Sequence, residues 1–284
     1  MRALNPVEGL LQIVDLQPGL RCVTLDESNR DPRPFPPPKM DMGGVKTHYL
    51  MDLASVVATE GLDLQPGDTV LDMCAAPGGK SFCMLQRLGP RGRLIANEMS
   101  NDRRTRLRKV LKEYIPTQIL TTCIETTGFD GTKKDSFPRN TYPKILCDAP
   151  CSSERHVLHD DAELGQWSAG RTKASAKRQV QLLGNALRAA LDEGGRVVYA
   201  TCSISKHEND LVVQKVIKKS PFKVNVRTHD RAWMVGEPTE VGWIVLPDTP
   251  GRWGPLYFAV LEKDGYKEDG KEDDGLDDMD DMDD

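Results

Sequence analysis

The chain lacks any Cys-x-x-Cys pair, although it holds seven cysteines, at positions 22, 74, 83, 123, 147, 151 and 202. Their odd number and irregular spacing argue against both a structural zinc site and a disulfide framework. Reduced thiols in a cytosol-like compartment follow. Long apolar runs are missing too: none approaches the roughly 18 residues a spanning helix needs. The start, Met1-Arg2-Ala3-Leu4-Asn5, has neither a secretory signal core nor an Arg/Ser-rich import leader. A leader removed before Met1 would leave the same pattern. Two nucleotide fingerprints are also absent. There is no Gly-x-Gly-x-x-Gly, and Gly79-Lys80-Ser81 completes only the end of a phosphate loop, because Cys74 stands where its first glycine belongs.

What is present is a water-soluble globular composition, 38% hydrophobic and 29% charged over 284 residues. That length accommodates one large α/β domain with an attachment. The net charge of −5 conceals a division: Glu268 to Asp284 carries eleven acids and one lysine, leaving 37 basic against 32 acidic residues elsewhere. The body is therefore basic, and the tail has almost nothing apolar to bury. It reads as a solubilising tail, or more sharply as a mimic of nucleic acid or a docking tail for a basic partner.

Residues 1–45 read as an N-terminal extension with a proline-rich strap at Asp31-Pro32-Arg33-Pro34-Phe35-Pro36-Pro37-Pro38. Residues 46–262 form the expected catalytic domain, and 263–284 the disordered acidic tail. Within the domain, a helix is expected from Lys46 to about Glu60. Strands follow at Thr69–Cys74, Gly92–Glu98, Gln118–Thr122, Lys144–Asp148 and Gly195–Ala200. Helices are expected at about Gly79–Leu88, Ser100–Tyr114, Ser175–Asp192 and Lys206–Lys218. Lys223–Val226 and Leu256–Leu261 suit an antiparallel edge. This alternation predicts a doubly wound, Rossmann-like sheet covered on both faces.

The first strand runs into Cys74-Ala75-Ala76-Pro77-Gly78-Gly79-Lys80, a glycine turn that lets backbone approach a ligand before a helix N-terminus. Glu98 ends the second strand twenty residues past Gly78, where an acid can accept from both ribose hydroxyls. A phosphate-loop ATPase has no use for it, whereas an adenosyl ligand without pyrophosphate does; S-adenosylmethionine is such a ligand. Asp130-Gly131, after the third strand, suits an adenine amino group. Two thiols then follow strands: Cys151 in Asp148-Ala149-Pro150-Cys151 and Cys202 in Ala200-Thr201-Cys202-Ser203. Buried cysteines are usually small core residues, which is the reading of the thiols of Cys74, Cys83, Cys123 and Cys147. Two thiols at neighbouring strand ends instead point to covalent chemistry on a ligand held over the sheet.

These three segments, with Ser152, resemble the cofactor, fourth and sixth motifs of the Sun family of RNA 5-methylcytosine methyltransferases, in matching order over roughly residues 45–262. The resemblance implies an S-adenosylmethionine-dependent methyltransferase fold. Cytosine C5 is a poor nucleophile, and a thiolate adding to C6 activates it. By resemblance Cys202 is the attacking thiol and Cys151 assists release, while Asp148 and Lys80 contact the base. Glu98, Arg103, Asp130 and Gly131 would surround the adenosyl group beside Cys74, Ala75, Pro77, Gly78 and Gly79.

Tyr49-Leu50-Met51-Asp52, Ser153-Glu154-Arg155-His156-Val157-Leu158-His159 and Trp253-Gly254-Pro255-Leu256-Tyr257-Phe258 are similar to the mitochondrial ribosomal-RNA branch. Ser153 and Met51 depart from it, standing where many relatives have glycine and glutamine. The branch implies a mitochondrial setting, with cytoplasm or nucleus as alternatives. It also implies a helper RNA-binding protein or a ribosomal assembly intermediate as partner, since its members lack a fused RNA-binding module.

Arg103, Arg104, Arg106, Arg108, Lys109 and Lys112 crowd one helix and read as a solvated face. Arg155, His156, Arg171, Lys173, Lys177 and Arg178 are better placed to meet RNA, beyond the Cys151 motif. His156 and His159 have no third partner spaced to make a metal site. The target base must be unpaired or flipped out. A second reading is a non-catalytic ribosome-assembly or RNA-binding scaffold retaining the fold; the presence of Cys202, Cys151, Asp148 and Lys80 disfavours it.

Overall fold

The computed structural model describes residues 11–17, 20–25, 37–152, 168–248 and 253–268. Strands β1 (Leu11–Gln17) and β2 (Leu20–Leu25) pair antiparallel as a separate two-stranded sheet. After them come α1 (Leu53–Glu60), β3 (Thr69–Asp72), α2 (Gly79–Leu88), β4 (Arg93–Asn97), α3 (Asn101–Tyr114), α4 (Thr117–Cys123), β5 (Ile124–Thr127) and β6 (Lys144–Asp148). The chain continues through α5 (Ala169–Ala189), β7 (Glu193–Thr201), α6 (Asp210–Lys219), β8 (Phe222–Val226), β9 (Glu237–Pro238), β10 (Trp243–Val245) and β11 (Leu256–Tyr266).

The main sheet has the order β5-β4-β3-β6-β7-β11-β10-β9, with β8 also paired to β11. Strands β3 to β7 are parallel, and β11 enters antiparallel beside β7. The doubly wound sheet with an antiparallel edge is thus borne out. Its strand order reverses between β3 and β6, so a crevice opens there at the carboxyl ends. Alternate residues feed two cores. Val70, Val198 and Ala200 pack with α1 and α2, while Leu71, Val197 and Tyr199 pack with α5 and α6. Each fully buried Leu or Val contributes about 1.5–3 kcal/mol relative to exposure.

Local chemistry sets the element ends. Asp52 accepts from Ala54 N at 2.8 Å, so α1 starts at Leu53, later than the expected Lys46. The same carboxylate accepts from Gly254 N at 3.0 Å, tying that start to β11. Ser100 caps α3, whose buried stripe is Leu107 and Leu111, and Ser168 caps α5. Gly78 has φ +117°, and a Cβ there would stand 3.1 Å from Leu107 Cδ1. Only glycine combines that turn with that contact.

The expected strand at Gln118–Thr122 is a correction: those residues lie in α4, and the strand is Ile124–Thr127. The β-branched run was misleading because Pro116 starts a helix. Thr121 and Thr122 turn their hydroxyls back to carbonyls one turn earlier, at 2.8–3.0 Å. Helix α5 begins at Ala169, before the expected Ser175, and α6 begins at Asp210, after the expected Lys206.

Strand β11 runs to Tyr266, four residues into the segment assigned to the tail. Lys263 is buried there: its Nζ donates to Ala190 O at 3.2 Å and to Asp192 Oδ1 at 2.7 Å, 3.6 Å from the Phe222 ring centre. A chain ended at Glu268 should therefore unfold in urea like the full chain. One ended at Glu262 should lose about 3 kcal/mol or more, since it deletes a buried charged partner and the strand end.

Candidate active site

The crevice is built from the loops that leave β3, β4, β5, β6 and β7. After β3, Met73 N donates to Leu146 O and Ala75 N to Asn97 O, so the turn into α2 is held by the strands on either side. Asn97, at the end of β4, braces three segments. Its Nδ2 donates to Met73 O and Phe129 O, and its Oδ1 accepts from Thr127 Oγ1 and Phe129 N.

Lys80 lies in the first turn of α2 and Asp148 at the end of β6. Their side chains meet at 2.6 Å, with 14% and 27% exposure. Burial opposes the Lys80 charge, but Asp148 outweighs it and raises the ammonium above its usual value; Cys202 and Asp72 add to this. A cleft of about 180 Å³ lies over the pair, lined by Tyr49, Asp52, Asp72, Cys74, Pro77 and Gly79 among others. Burial, with Asp72, Asp148 and Glu98 nearby, raises the Cys74 thiol far above its ordinary range, so it stays neutral.

Beyond that pair, Cys151 and Cys202 approach to 2.8 Å between sulfurs, both partly buried and neither in a disulfide. The parallel register explains the meeting: Asp148 pairs with Ala200, and each thiol follows within three residues. Glu98 is buried. Its Oε1 accepts from Ser100 N at 2.9 Å, and its Oε2 lies 3.3 Å from Arg103 Nη1 without a hydrogen bond. Arg103 also donates to Ala76 O at 3.0 Å, and so binds the glycine turn to the acid. Asp130 accepts from Thr132 N and Oγ1. Burial opposes its ionisation, but these bonds and nearby Lys133 and Arg178 keep its pKa below the usual value. Gly131 is buried, and a Cβ there would strike Leu182 and Met73 at 2.9 and 3.0 Å.

A family model described as 16S rRNA methyltransferase RsmB/F matches residues 59–256. The chain belongs to the RsmB/F family. It is 38% identical over 277 residues to the 5-cytosine rRNA methyltransferase NSUN4 of Mus musculus, covering 92% of this chain and 71% of that protein. It is 35% identical to the mitochondrial tRNA (cytosine(34)-C(5))-methyltransferase of Mus musculus, covering 83% of this chain and 69% of that protein. Among solved structures, NSun6 from Pyrococcus horikoshii with SFG superposes with a TM-score of 0.63 at 26% identity, covering 76% of this chain and 53% of that one. A methyltransferase homolog protein from Pyrococcus horikoshii superposes at 0.65 and 23% identity, covering 89% and 78%. This RsmB/F member is accordingly an RNA cytosine-5 methyltransferase that uses S-adenosylmethionine.

The residues present fit that cofactor. Glu98 Oε2 and Asp72 Oδ1 are buried oxygens without hydrogen-bond partners, at the two sides of the glycine turn. Each is an acceptor that a polar ligand would satisfy. Of the expected RNA contacts, Arg171, Lys173, Lys177 and Arg178 lie exposed on α5. Arg178 is close enough to act on Asp130 and Cys74. Arg155, His156 and His159 lie outside the described residues. Among the described residues no group of His, Cys, Asp and Glu could hold a metal, and no helix is long and apolar enough to cross a membrane.

Asp72, Asn97, Gln179 and Glu208 were missed in the sequence. Asp72 had a signal, an acid inside an apolar strand. It is fully buried, which lifts its pKa to about 7 against the opposing bond from Ser81 Oγ at 2.5 Å. Its folded pKa exceeds its unfolded one, so its protonation favours folding below about pH 4, and that contribution is lost as pH rises through 7. Asp72→Asn should therefore gain stability relative to the parent between pH 4 and 8, by up to about 4 kcal/mol. Chemical denaturation at several pH values, with a flattened profile in the variant, checks this.

Proposed function

We propose that this chain methylates C5 of an unpaired or flipped-out cytosine in ribosomal RNA, through a covalent bond from Cys202 to C6 that Cys151 helps to break. The observation that carries this is the 2.8 Å approach of the two thiols beside the Lys80–Asp148 pair. Either thiol alone leaves the core and the reactive readings both open; together at neighbouring strand ends they supply a nucleophile and a second group for release.

Cytosine fits between the thiols and the ion pair because it needs support at its N3 edge when charge moves there. Asp148 accepts from the N4 amino group beside N3, and the Lys80 ammonium offsets charge that develops at N3 and favours the Cys202 thiolate over the thiol. The Cys202 sulfur adds to C6, and the electron pair displaced from the C5–C6 double bond makes C5 nucleophilic. Glu98 would hold the ribose of S-adenosylmethionine, Asp130 and Gly131 its adenine, and Arg103 with the Cys74–Gly79 turn the rest of the adenosyl group; when bound, the cofactor would supply the methyl group. Afterwards a base removes the C5 proton, the double bond re-forms, and the Cys202 thiolate leaves. Cys151 and Asp148 are the groups placed to take part in that release.

Ribosomal RNA as substrate is supported by the name of the mouse relative at 38% identity. The mitochondrial setting is supported by the mouse tRNA relative. Recruitment would rest on a helper RNA-binding protein or a ribosomal assembly intermediate. Arg171, Lys173, Lys177 and Arg178 extend the site along α5 toward phosphates.

Cys202→Ala should abolish methylation and covalent capture. Cys151→Ala should accumulate an enzyme–RNA adduct, because addition proceeds and release stalls. Denaturing gels of protein from a native-like host, with nuclease treatment and sequencing of captured RNA, read both; wild-type behaviour of both variants would overturn the mechanism. Captured transfer RNA would overturn the substrate assignment alone. Replacing Arg171, Lys173, Lys177 and Arg178 by alanine should weaken binding uniformly across sequences. In salt titrations each loss should lower the slope of log K against log salt by roughly one.

A further inference from the structure

Glu208 is buried with no exposed surface, five residues past Ser203 of the Cys202-Ser203 turn and just before α6. Among the described residues no cation pairs with it. Its carboxylate instead collects neutral donors from three segments. Ser152 donates both its N, at 3.0 Å, and its Oγ; Gln179 of α5 donates Nε2 at 2.7 Å; Ser203 donates Oγ at 3.2 Å. Its own carbonyl accepts from the Tyr199 hydroxyl at 2.6 Å. A buried carboxylate without a counter-ion is costly, so four satisfied donors mark a built arrangement.

The donors bracket the two thiols. Pro150 and Ser152 flank Cys151: Gln179 Nε2 also donates to Pro150 O at 2.9 Å, while Ser152 is held by Glu208 itself. Thr201 and Ser203 flank Cys202. Thr201 Oγ1 donates to Asn209 Oδ1 at 2.7 Å, and Asn209 Nδ2 donates to Ser203 O at 2.9 Å. The two loops therefore depend on Glu208 unequally. The Cys202 loop keeps its Asn209 bonds without it. The Cys151 loop loses both Ser152 bonds and the anchor of Gln179.

We infer that Glu208 is a positioning residue for the release step: it holds the Cys151 loop against the Cys202 loop. This rests on the two-thiol reading above. In release the C5 proton goes to a base, its electron pair re-forms the C5–C6 double bond, and the C6–Sγ bond to Cys202 breaks with the thiolate leaving. Formation of that bond needs Cys202 alone, whereas its breakage in time needs Cys151 in register. Loss of Glu208 should thus resemble loss of Cys151 even though Cys151 is present.

The test uses the full chain, S-adenosylmethionine and transcribed small-subunit ribosomal RNA, following adduct on denaturing gels. Glu208→Ala should accumulate adduct and slow its breakdown about 100-fold, as expected for a misplacement near 1 Å. Affinity for S-adenosylmethionine should be unchanged. Glu208→Gln should restore breakdown to within about tenfold, because its carbonyl keeps the N–H donors and its amide can donate to the two hydroxyls. A merely structural role would slow addition and breakdown together and leave no adduct. Should Glu208→Ala fail to fold, Ser152→Ala, which removes one of the four donors, should accumulate adduct to a smaller extent. Wild-type breakdown in Glu208→Ala, or in Ser152→Ala when that variant stands in for it, overturns the inference, and so does Glu208→Gln failing as badly as alanine. Absence of adduct from Cys151→Ala as well would instead overturn the two-thiol reading on which it stands.

Discussion

The ion pair of Lys80 with Asp148 is the contact on which the crevice depends. It spans the switch point, joining the first turn of α2 to the end of β6 at 2.6 Å. Burial opposes the charge on Lys80, and its pKa is nevertheless raised because Asp148 is so close. A partly buried pair adds little net stability once desolvation is counted. Its value is orientation, since fixed charges need no reorganisation when charge develops beside them. On one side Lys80 follows Gly79, whose missing Cβ leaves Tyr49 room at 3.0 Å. On the other, Asp148 leads through Ala149 and Pro150 to Cys151. The cofactor turn and the thiol loop thereby act as one body.

Much of this was legible in the chain because it depended on local pattern. Apolar runs marked β3, β4, β6 and β7, the glycine turn marked the start of α2, and order along the chain put both thiols at strand ends. What failed locally was Gln118–Thr122, where β-branched composition argued for a strand and Pro116 decided for a helix. What could not be read at all depends on distant partners. Glu208 carries no local signal, because its meaning comes from Ser152 and Gln179, 56 and 29 residues away. Asn97 likewise reads as a strand end until Met73 and Phe129 are placed around it.

Several buried polar atoms without hydrogen-bond partners lie beside the crevice, although Arg196 Nε, near the opposite end of the sheet in β7, is another. Asp72 Oδ1, Glu98 Oε2 and Gln179 Oε1 all lie at the carboxyl end of the sheet, beside the loops of the crevice. Each unsatisfied buried acceptor costs about 1–3 kcal/mol. The same sheet elsewhere is packed with Leu, Val and Ala at no exposure. Buried acceptors of this kind beside a crevice are what is expected where oxygens wait for a polar ligand rather than for the protein.

Helix α5 explains how distant parts of the site keep a common frame. Over 21 residues it carries exposed Arg171, Lys173, Lys177 and Arg178 near its start. The next residue, Gln179, holds Pro150 O beside Cys151. Further along, Leu182 closes against Gly131 and Asn185 Nδ2 donates to Gly131 O at 2.9 Å, fixing the loop expected to face adenine. Arg188 then pairs with Asp135 at 2.9 Å. At 1.5 Å per residue, Arg171 and Asn185 stand about 21 Å apart on one rigid rod. The cations at its start, the loop that carries Cys151 and the Asp130-Gly131 loop are therefore joined to one helix, so on the proposed assignments polynucleotide docking and the chemistry would share one mechanical element.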